Sequence, residues 1–182
     1  MKLWLLRLAI HAAYHPSRWF NQLMCLLGVW RHADWIDEHV LVGAVPSRQN
    51  LRLYASQGVR AVVNMCEEFA GHQKTLDDLG LMQLHLPTLD YHCPSVADLR
   101  GGIAFIQETI ASDGRVFIHC KAGRGRSAIM AICYLMATRH CSAAEAELIV
   151  RRARGHIARR VLQHDAVRVI EAECATKAAA GD

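Results

Sequence analysis
His119-Cys120-Lys121-Ala122-Gly123-Arg124-Gly125-Arg126-Ser127 stands between two apolar runs. The run before it, Arg115-Val116-Phe117-Ile118, is short and reads as a buried strand. The run after it, Ala128 to Met136, contains neither glycine nor proline and reads as a buried helix. A strand, a glycine-bearing loop and a helix N-terminus together form an anion cradle. Successive backbone N–H groups turn inward there, and the helix dipole favours negative charge. A cysteine in such a field is biased toward the thiolate. The Cys–Arg interval alone means little. Five residues separate Cys25 from Arg31 and Cys133 from Arg139, just as they separate Cys120 from Arg126, and the other two copies lie in apolar, helix-like stretches. Only the Cys120 copy sits between strand and helix with two glycines inside it.

Outward from this loop the pattern alternates. Strands are expected at Val40–Val45, Val59–Met65, Met82–Leu86 and Arg115–His119. Helices are expected at Gln49–Gln57, Lys74–Leu79, Val96–Ala111, Arg126–Arg139, Ser142–Ala153 and Val161–Glu173. Gly58 and Gly80 end the first two, Gly101-Gly102 weakens the middle of the third, and Ser142 with Glu145 forms a capping box. This alternation predicts an α/β fold with a central, mainly parallel sheet flanked by helices. One domain is expected over residues 34–175, with a distinct segment at 1–33 and a frayed tail of mostly small residues at 176–182.

The 182 residues suit a single domain with a sizeable core. Of the 21 Lys and Arg residues, Lys2, Arg7, Arg18 and Arg31 precede the first acidic residue, Asp34, so the remainder carries 17 basic and 17 acidic side chains. No basic stripe interleaved with aromatics and no zinc-finger spacing occurs, which argues against a nucleic-acid partner. The seven cysteines are irregularly spaced and include no C-x-x-C pair, so neither a structural zinc site nor a disulfide framework is indicated. A reducing compartment follows, cytoplasmic or membrane-peripheral. A bacterial cytoplasmic face, a mitochondrial membrane and secretion into a host all stay open.

Residues 1–33 hold two apolar runs, Leu3 to Ile10 around Arg7 and Trp19 to Trp30, broken at Pro16. Neither reaches the roughly 20 apolar residues that span a bilayer. Three readings remain: helices packed on the domain, a targeting segment, or an interfacial membrane anchor. In the last, Trp4, Trp19, Phe20 and Trp30 sit at headgroup depth and the basic residues face anionic lipid.

The string from His119 to Ser127 resembles the phosphate-binding signature of the cysteine-dependent protein tyrosine phosphatase superfamily, in its dual-specificity branch. Trp35-Ile36-Asp37, Leu41-Val42-Gly43-Ala44-Val45-Pro46, Asn64-Met65-Cys66-Glu67-Glu68-Phe69 and Pro87-Thr88-Leu89-Asp90 extend the resemblance to mitochondrial-type PTP-like phosphatidylglycerophosphate phosphatases. The resemblance implies a dual-specificity phosphatase-like fold and hydrolysis of a phosphomonoester through a phosphocysteine. Chemistry agrees with it residue by residue. Cys120 is the expected nucleophile. Arg126 offers a planar fork that binds two phosphate oxygens at once. Gly123 and Gly125 permit close backbone approach, and Ala122 completes the loop. Ser127 can donate to the cysteine sulfur and ease its departure, or simply start the helix. His119 is expected to order the loop by hydrogen bonding. Asp90, in a loop after the third expected strand, is placed as the family's acid loop is and becomes the general acid. Asp98 is its rival on spacing, but reads better as a first-turn helix residue. The loop supplies the charge that a metal supplies elsewhere, so neither metal nor cofactor is called for.

Lys121 and Arg124 suit a headgroup with more than one negative charge, such as phosphatidylglycerophosphate or a phosphoinositide. The alternative is a dual-specificity protein phosphatase acting on a phosphoprotein. Glu67 and Glu68 either contact a headgroup or buttress Arg126. Cys66 reads as a packed thiol, with a redox partnership to Cys120 as the alternative. Arg151 to Arg160 reads as a solvated basic face, with Arg159 or Arg160 reaching the phosphate site or a membrane surface as the alternative.

Overall fold
The computed structural model describes residues 12 and 14–180. The expected Leu3–Ile10 run, with Lys2, Trp4 and Arg7, lies outside them. Helix α1 spans Tyr14–Leu26. Then follow β1 (Ala33–Trp35), β2 (Val40–Gly43), α2 (Arg48–Ser56), β3 (Val59–Cys66), α3 (Gln73–Asp78), β4 (Met82–Thr88), α4 (Val96–Ala111) and β5 (Arg115–His119). The chain continues through α5 (Arg126–Arg139), α6 (Ala143–Ala153), a 3-10 turn at Val161–Gln163 and α7 (Asp165–Ala180).

The strands form one sheet in the order β1-β2-β5-β3-β4. All pairs are parallel except β1–β2. Strand residues alternate between two cores. Val42, Val63, Val116 and Ile118 belong to the larger core, shared with α5. Leu41, Val62 and Phe117 face the smaller one, with Leu51 and Tyr54 of α2 and Leu76 of α3. Burial on both faces explains why β5 reads as an uninterrupted apolar run. Fully burying each such aliphatic or aromatic side chain contributes about 1.5–3 kcal/mol. α5 is the central helix of the larger core: every residue from Arg126 to Met136 is buried. Gly102 is required where α4 meets α5, because a Cβ there would lie 2.3 Å from the Met130 methyl. The helix passes through it unbroken.

The expected α/β sheet is observed, with several differences. β1 was not anticipated; three residues pair antiparallel to β2 and are too short for periodicity to register. It straddles the expected domain boundary at residue 34. The expected 161–173 helix divides into the 3-10 turn and α7. α7 also runs through Thr176–Ala180, where a frayed tail was expected, because small alanines are good helix formers. Asp98 lies in the first turn of α4, in a capping box with Ser95, as its helix reading expects.

Strand register positions the site. Gly43 of β2 and Asn64 of β3 both pair with His119 of β5. The segments leaving these three strands therefore emerge side by side at the carboxyl edge of the sheet, where parallel sheets present their ligand sites.

Candidate active site
The loop Cys120–Gly125 joins β5 to the N-terminus of α5. Gly123 has φ +69°, and a Cβ on it would lie 2.4 Å from the Gly43 carbonyl carbon. Glycine is thus needed both for conformation and for contact with β2. Cys120 is 3% exposed, and its Sγ lies 3.3 Å from Ser127 Oγ. Burial would push the thiol up. Arg126, the Ser127 hydroxyl and the Ser127 and Arg124 N–H groups more than offset that, and the thiol is held below its ordinary value. Burial raises the other six cysteines, Cys93 to about 11. Cys66 is fully buried and pushed well above the usual thiol range, as its packed reading expects.

Arg126 is 2% exposed and anchored by Glu68 in a bidentate pair, Nη1–Oε2 2.9 Å and Nη2–Oε1 2.7 Å. Nη1 also donates to Thr88 O at 2.7 Å, and Nη2 to Asp90 Oδ1 at 2.9 Å. Its Nε–H is buried without a hydrogen-bond partner among the described residues. The buttress reading of Glu68 is therefore the one observed. Asn64 holds the turn that carries it: Asn64 Oδ1 accepts from Cys66 N–H at 3.0 Å, and Nδ2 donates to Phe69 O at 2.7 Å. Glu67 is tied to β4 through its N–H, which donates to Thr88 O at 3.3 Å. The second Asp90 oxygen pairs with Lys121 Nζ.

His119 is held on both counts: a hydrogen bond to the Cys120 backbone ties the ring to the loop, as expected, although its Nδ1 has no hydrogen-bond partner among the described residues. Packing fixes the ring as well: it stacks on Phe117 at 5.4 Å and meets Phe69 edge-on at 6.1 Å. Burial lowers its pKa to about 3, so the ring is neutral.

A cavity of about 640 Å³ opens over Cys120. Lys121, Ala122, Arg124, Gly125, Arg126 and Asp90 line it with Cys120, whereas His119, Gly123, Ser127, Glu67 and Glu68 stand behind this wall. Lys121 is less free than expected, being 5% exposed, paired with Asp90 and 5.6 Å from the Tyr91 ring. Arg124 is likewise held, by His156 O at 2.8 Å and over the Trp30 ring at 5.1 Å. Tyr91, Val161, Arg160 and His164 complete part of the wall. Phe20 and Trp30 reach it from the N-terminal segment. They pack edge to face at 5.7 Å, and Trp30 stacks on His156 at 5.4 Å.

Arg154 is the main miss. It is 1% exposed, not part of a solvated face, and pairs with Asp34 at 2.6 Å beneath the loop. Sequence proximity to other arginines hid it, since its partner lies 120 residues away.

A low-pKa thiol, a buried guanidinium and a carboxyl around one anion-binding loop define a cysteine-dependent phosphatase. Residues 40–171 match the dual specificity phosphatase catalytic domain, and the chain belongs to that family. It is 33% identical over 176 residues to phosphatidylglycerophosphatase and protein-tyrosine phosphatase 1 from Rattus norvegicus, covering 91% of each chain. It is 32% identical to phosphatidylglycerophosphate phosphatase PTPMT2 from Arabidopsis thaliana, over 88% of this chain and 70% of that one. The crystal structure of PTPMT1 in complex with PI(5)P is similar in fold, with TM-score 0.74 and 32% identity over 81% of this chain and 99% of that one.

Proposed function
We propose that this phosphatase removes the phosphomonoester of a phospholipid headgroup, phosphatidylglycerophosphate first among the candidates, at a membrane surface touched by its N-terminal segment. The observation that carries this reading is that one short segment supplies both the pocket wall and an apolar ridge. Phe20 and Trp30 line the cavity. Trp19, Leu23, Leu26, Leu27 and Val29 point to solvent, Trp19 at 75% and Leu26 at 84% exposure. Exposed Arg31 and Arg160 flank this region and complement anionic lipid. No helix among the described residues is long and apolar enough to cross a membrane, so the contact proposed is interfacial. The relatives' names and the bound PI(5)P of one of them point to the same substrate class.

The chemistry proceeds in two steps. Cys120 thiolate attacks phosphorus in line, forming the S–P bond as the P–O bond to the alcohol breaks. Arg126 offers its unpartnered Nε–H to one phosphate oxygen and competes Asp90 off Nη2 for another. That exchange frees the Oδ1 of Asp90, while Oδ2 stays on Lys121. A phosphate dianion repels its carboxylate and accepts a hydrogen bond from its acid form, which passes its proton to the leaving oxygen. Asp90 then takes a proton from the water that attacks phosphocysteine, and Ser127 donates to the departing sulfur. Glu68 keeps the guanidinium in plane throughout.

A phosphate-release panel tests the reading: vesicles bearing phosphatidylglycerophosphate or mono- and bis-phosphorylated phosphoinositides, against phosphotyrosine and phosphothreonine peptides. Preference for a lipid supports it. Preference for peptides over every lipid overturns it and makes the protein a dual-specificity protein phosphatase.

A further inference from the structure
Five consecutive carbonyls of the phosphate loop accept hydrogen bonds from outside the loop. Lys121 O accepts from Val45 N–H at 3.4 Å, Arg124 O from Ala158 N–H at 2.9 Å, and Gly125 O from Ile129 N–H at 2.9 Å. The second and third share one side chain: Arg154 Nη2 donates to Ala122 O at 3.3 Å, and Nε to Gly123 O at 2.6 Å. In a trans peptide the carbonyl and the following N–H point in opposite directions. Turning the Ala122 and Gly123 carbonyls out toward Arg154 therefore turns the Gly123 and Arg124 N–H groups in. The Arg124 N–H is one of those that face the Cys120 sulfur.

Arg154 is itself oriented on its far side. Nη1 pairs with Asp34 Oδ2 at 2.6 Å and donates to Arg31 O at 3.2 Å. Asp34 is in turn held by Arg31 Nε at 2.7 Å. The guanidinium thus ties residues 31–34, just after the apolar ridge, to the peptide planes under the nucleophile.

We infer that Arg154, oriented by Asp34, is a positioning residue for the phosphatase reaction: it sets the Ala122 and Gly123 peptide planes and so aims the loop's N–H groups at thiolate and phosphate. The inference rests on Cys120 being the nucleophile. Arg154 also places a cation below the loop, and the Cys120 thiolate is among the groups that favour its charged form, after Asp34. Asp34 adds an anion of opposite effect.

The test compares Arg154→Met, Arg154→Lys and Asp34→Asn with the unaltered chain. Three quantities are read: the pH midpoint of Cys120 alkylation followed by peptide mass spectrometry, orthovanadate inhibition of a soluble aryl phosphatase assay, and thermal stability. Arg154→Met raises the alkylation midpoint and weakens vanadate by roughly tenfold or more, as losing aimed oxyanion donors does. kcat falls more than KM rises. Arg154→Lys restores part of the midpoint but not the vanadate affinity, because an ammonium cannot bridge two carbonyls and a carboxylate as a fork does. Asp34→Asn keeps the cation but loses the anion that orients it, so it weakens vanadate as Arg154→Met does while lowering the midpoint, opposite to Arg154→Met. If Arg154→Met does not fold, the opposed responses of the other two variants decide. Unaltered midpoint and vanadate inhibition in a folded Arg154 variant overturn the inference, as do midpoints that move together with lost stability. Cys120→Ser is run alongside: if it keeps turnover, the nucleophile assignment fails instead.

Discussion
The loop from His119 to Ser127 and the ridge from Trp19 to Val29 meet at one cavity and are built in opposite ways. In the loop, charged and polar groups are buried and held: Arg126 by Glu68, Lys121 by Asp90, and the backbone carbonyls by Arg154, Ala158 and Val45. On the ridge, large apolar side chains are left in water. Each arrangement is costly alone. Buried charge needs excellent partners, and an exposed apolar patch needs a surface to cover it. Under the proposed function, the contrast is a division of labour: the loop would recognise phosphate on any carrier, and the ridge would select the carrier by where it resides.

The largest effects should come from the loop, and they should ignore the carrier. Cys120→Ser should abolish turnover of both a soluble aryl phosphate and a vesicle lipid. Asp90→Asn should lower both by about 10²–10⁴-fold, the usual contribution of a general acid. A loss confined to the lipid assay would break the contrast, since it would make these groups carrier-specific. Steady-state rates on the two substrates decide it.

Glu68→Gln comes next. It keeps the shape of the side chain and removes the charge facing a guanidinium that is 2% exposed. Burial works against the charged form of Arg126, and Glu68 together with the Cys120 thiolate more than compensates. Removing one partner of such a pair typically costs about 3–5 kcal/mol. Denaturant unfolding should show a loss of that order, with activity falling on soluble and vesicle substrates alike. An unchanged midpoint would mean that Thr88 O and Asp90 hold the arginine without Glu68.

The ridge should respond differently. Replacing Leu23, Leu26 and Val29 together by Ser leaves the cavity wall in place and should spare soluble turnover. Fully burying each such side chain is worth about 1.5–3 kcal/mol, so partial insertion of three should be worth at least ~10²-fold in vesicle binding. Liposome flotation and vesicle turnover should fall together. Equal flotation of the variant and the unaltered chain would remove the membrane from the account. Trp30→Ala blurs the contrast on purpose: it exposes Arg124 and should lower soluble turnover mildly and vesicle turnover more.

The two regions also differ in how far sequence alone discloses them. The loop is contiguous, so its strand, glycines, cysteine and arginine are legible at a glance, and α5 follows from an unbroken apolar run. Glu68 is legible only as an acid of uncertain duty. Its contact with Arg126 spans 58 residues and exists only because β3 lies beside β5. Arg154 is illegible for the same reason at greater range. Its neighbours in sequence are exposed or half-buried basic residues, and nothing local distinguishes the one that turns inward. The ridge is legible as amphipathic, but not the seating of Trp30, which depends on His156 and Arg124 being at hand, nor that of half-exposed Phe20 against its ring. Local pattern reveals what one element does to itself; side chains whose partners come from other elements need the topology.

The smallest expected effect concerns acid. Burial holds His119 neutral with a pKa of about 3 and lowers His156 to about 4. In the unfolded chain both titrate near 6.5. Between those values the unfolded state binds more protons, so stability is fully present above about pH 6.5 and is lost as pH falls toward 3. For His119 alone the slope approaches about 1.4 kcal/mol per pH unit within that window. His119→Gln should therefore flatten the fall in melting temperature between pH 6.5 and 4.5, whatever it does to stability at pH 7.5. The ridge between Trp19 and Val29 contains no acid, histidine or lysine, so the Leu23/Leu26/Val29 variant should keep the parental slope. An acid slope that His119→Gln leaves intact would place the proton uptake elsewhere. The loop's neutrality would then be a matter of packing with no thermodynamic trace, and one of its differences from the ridge would vanish.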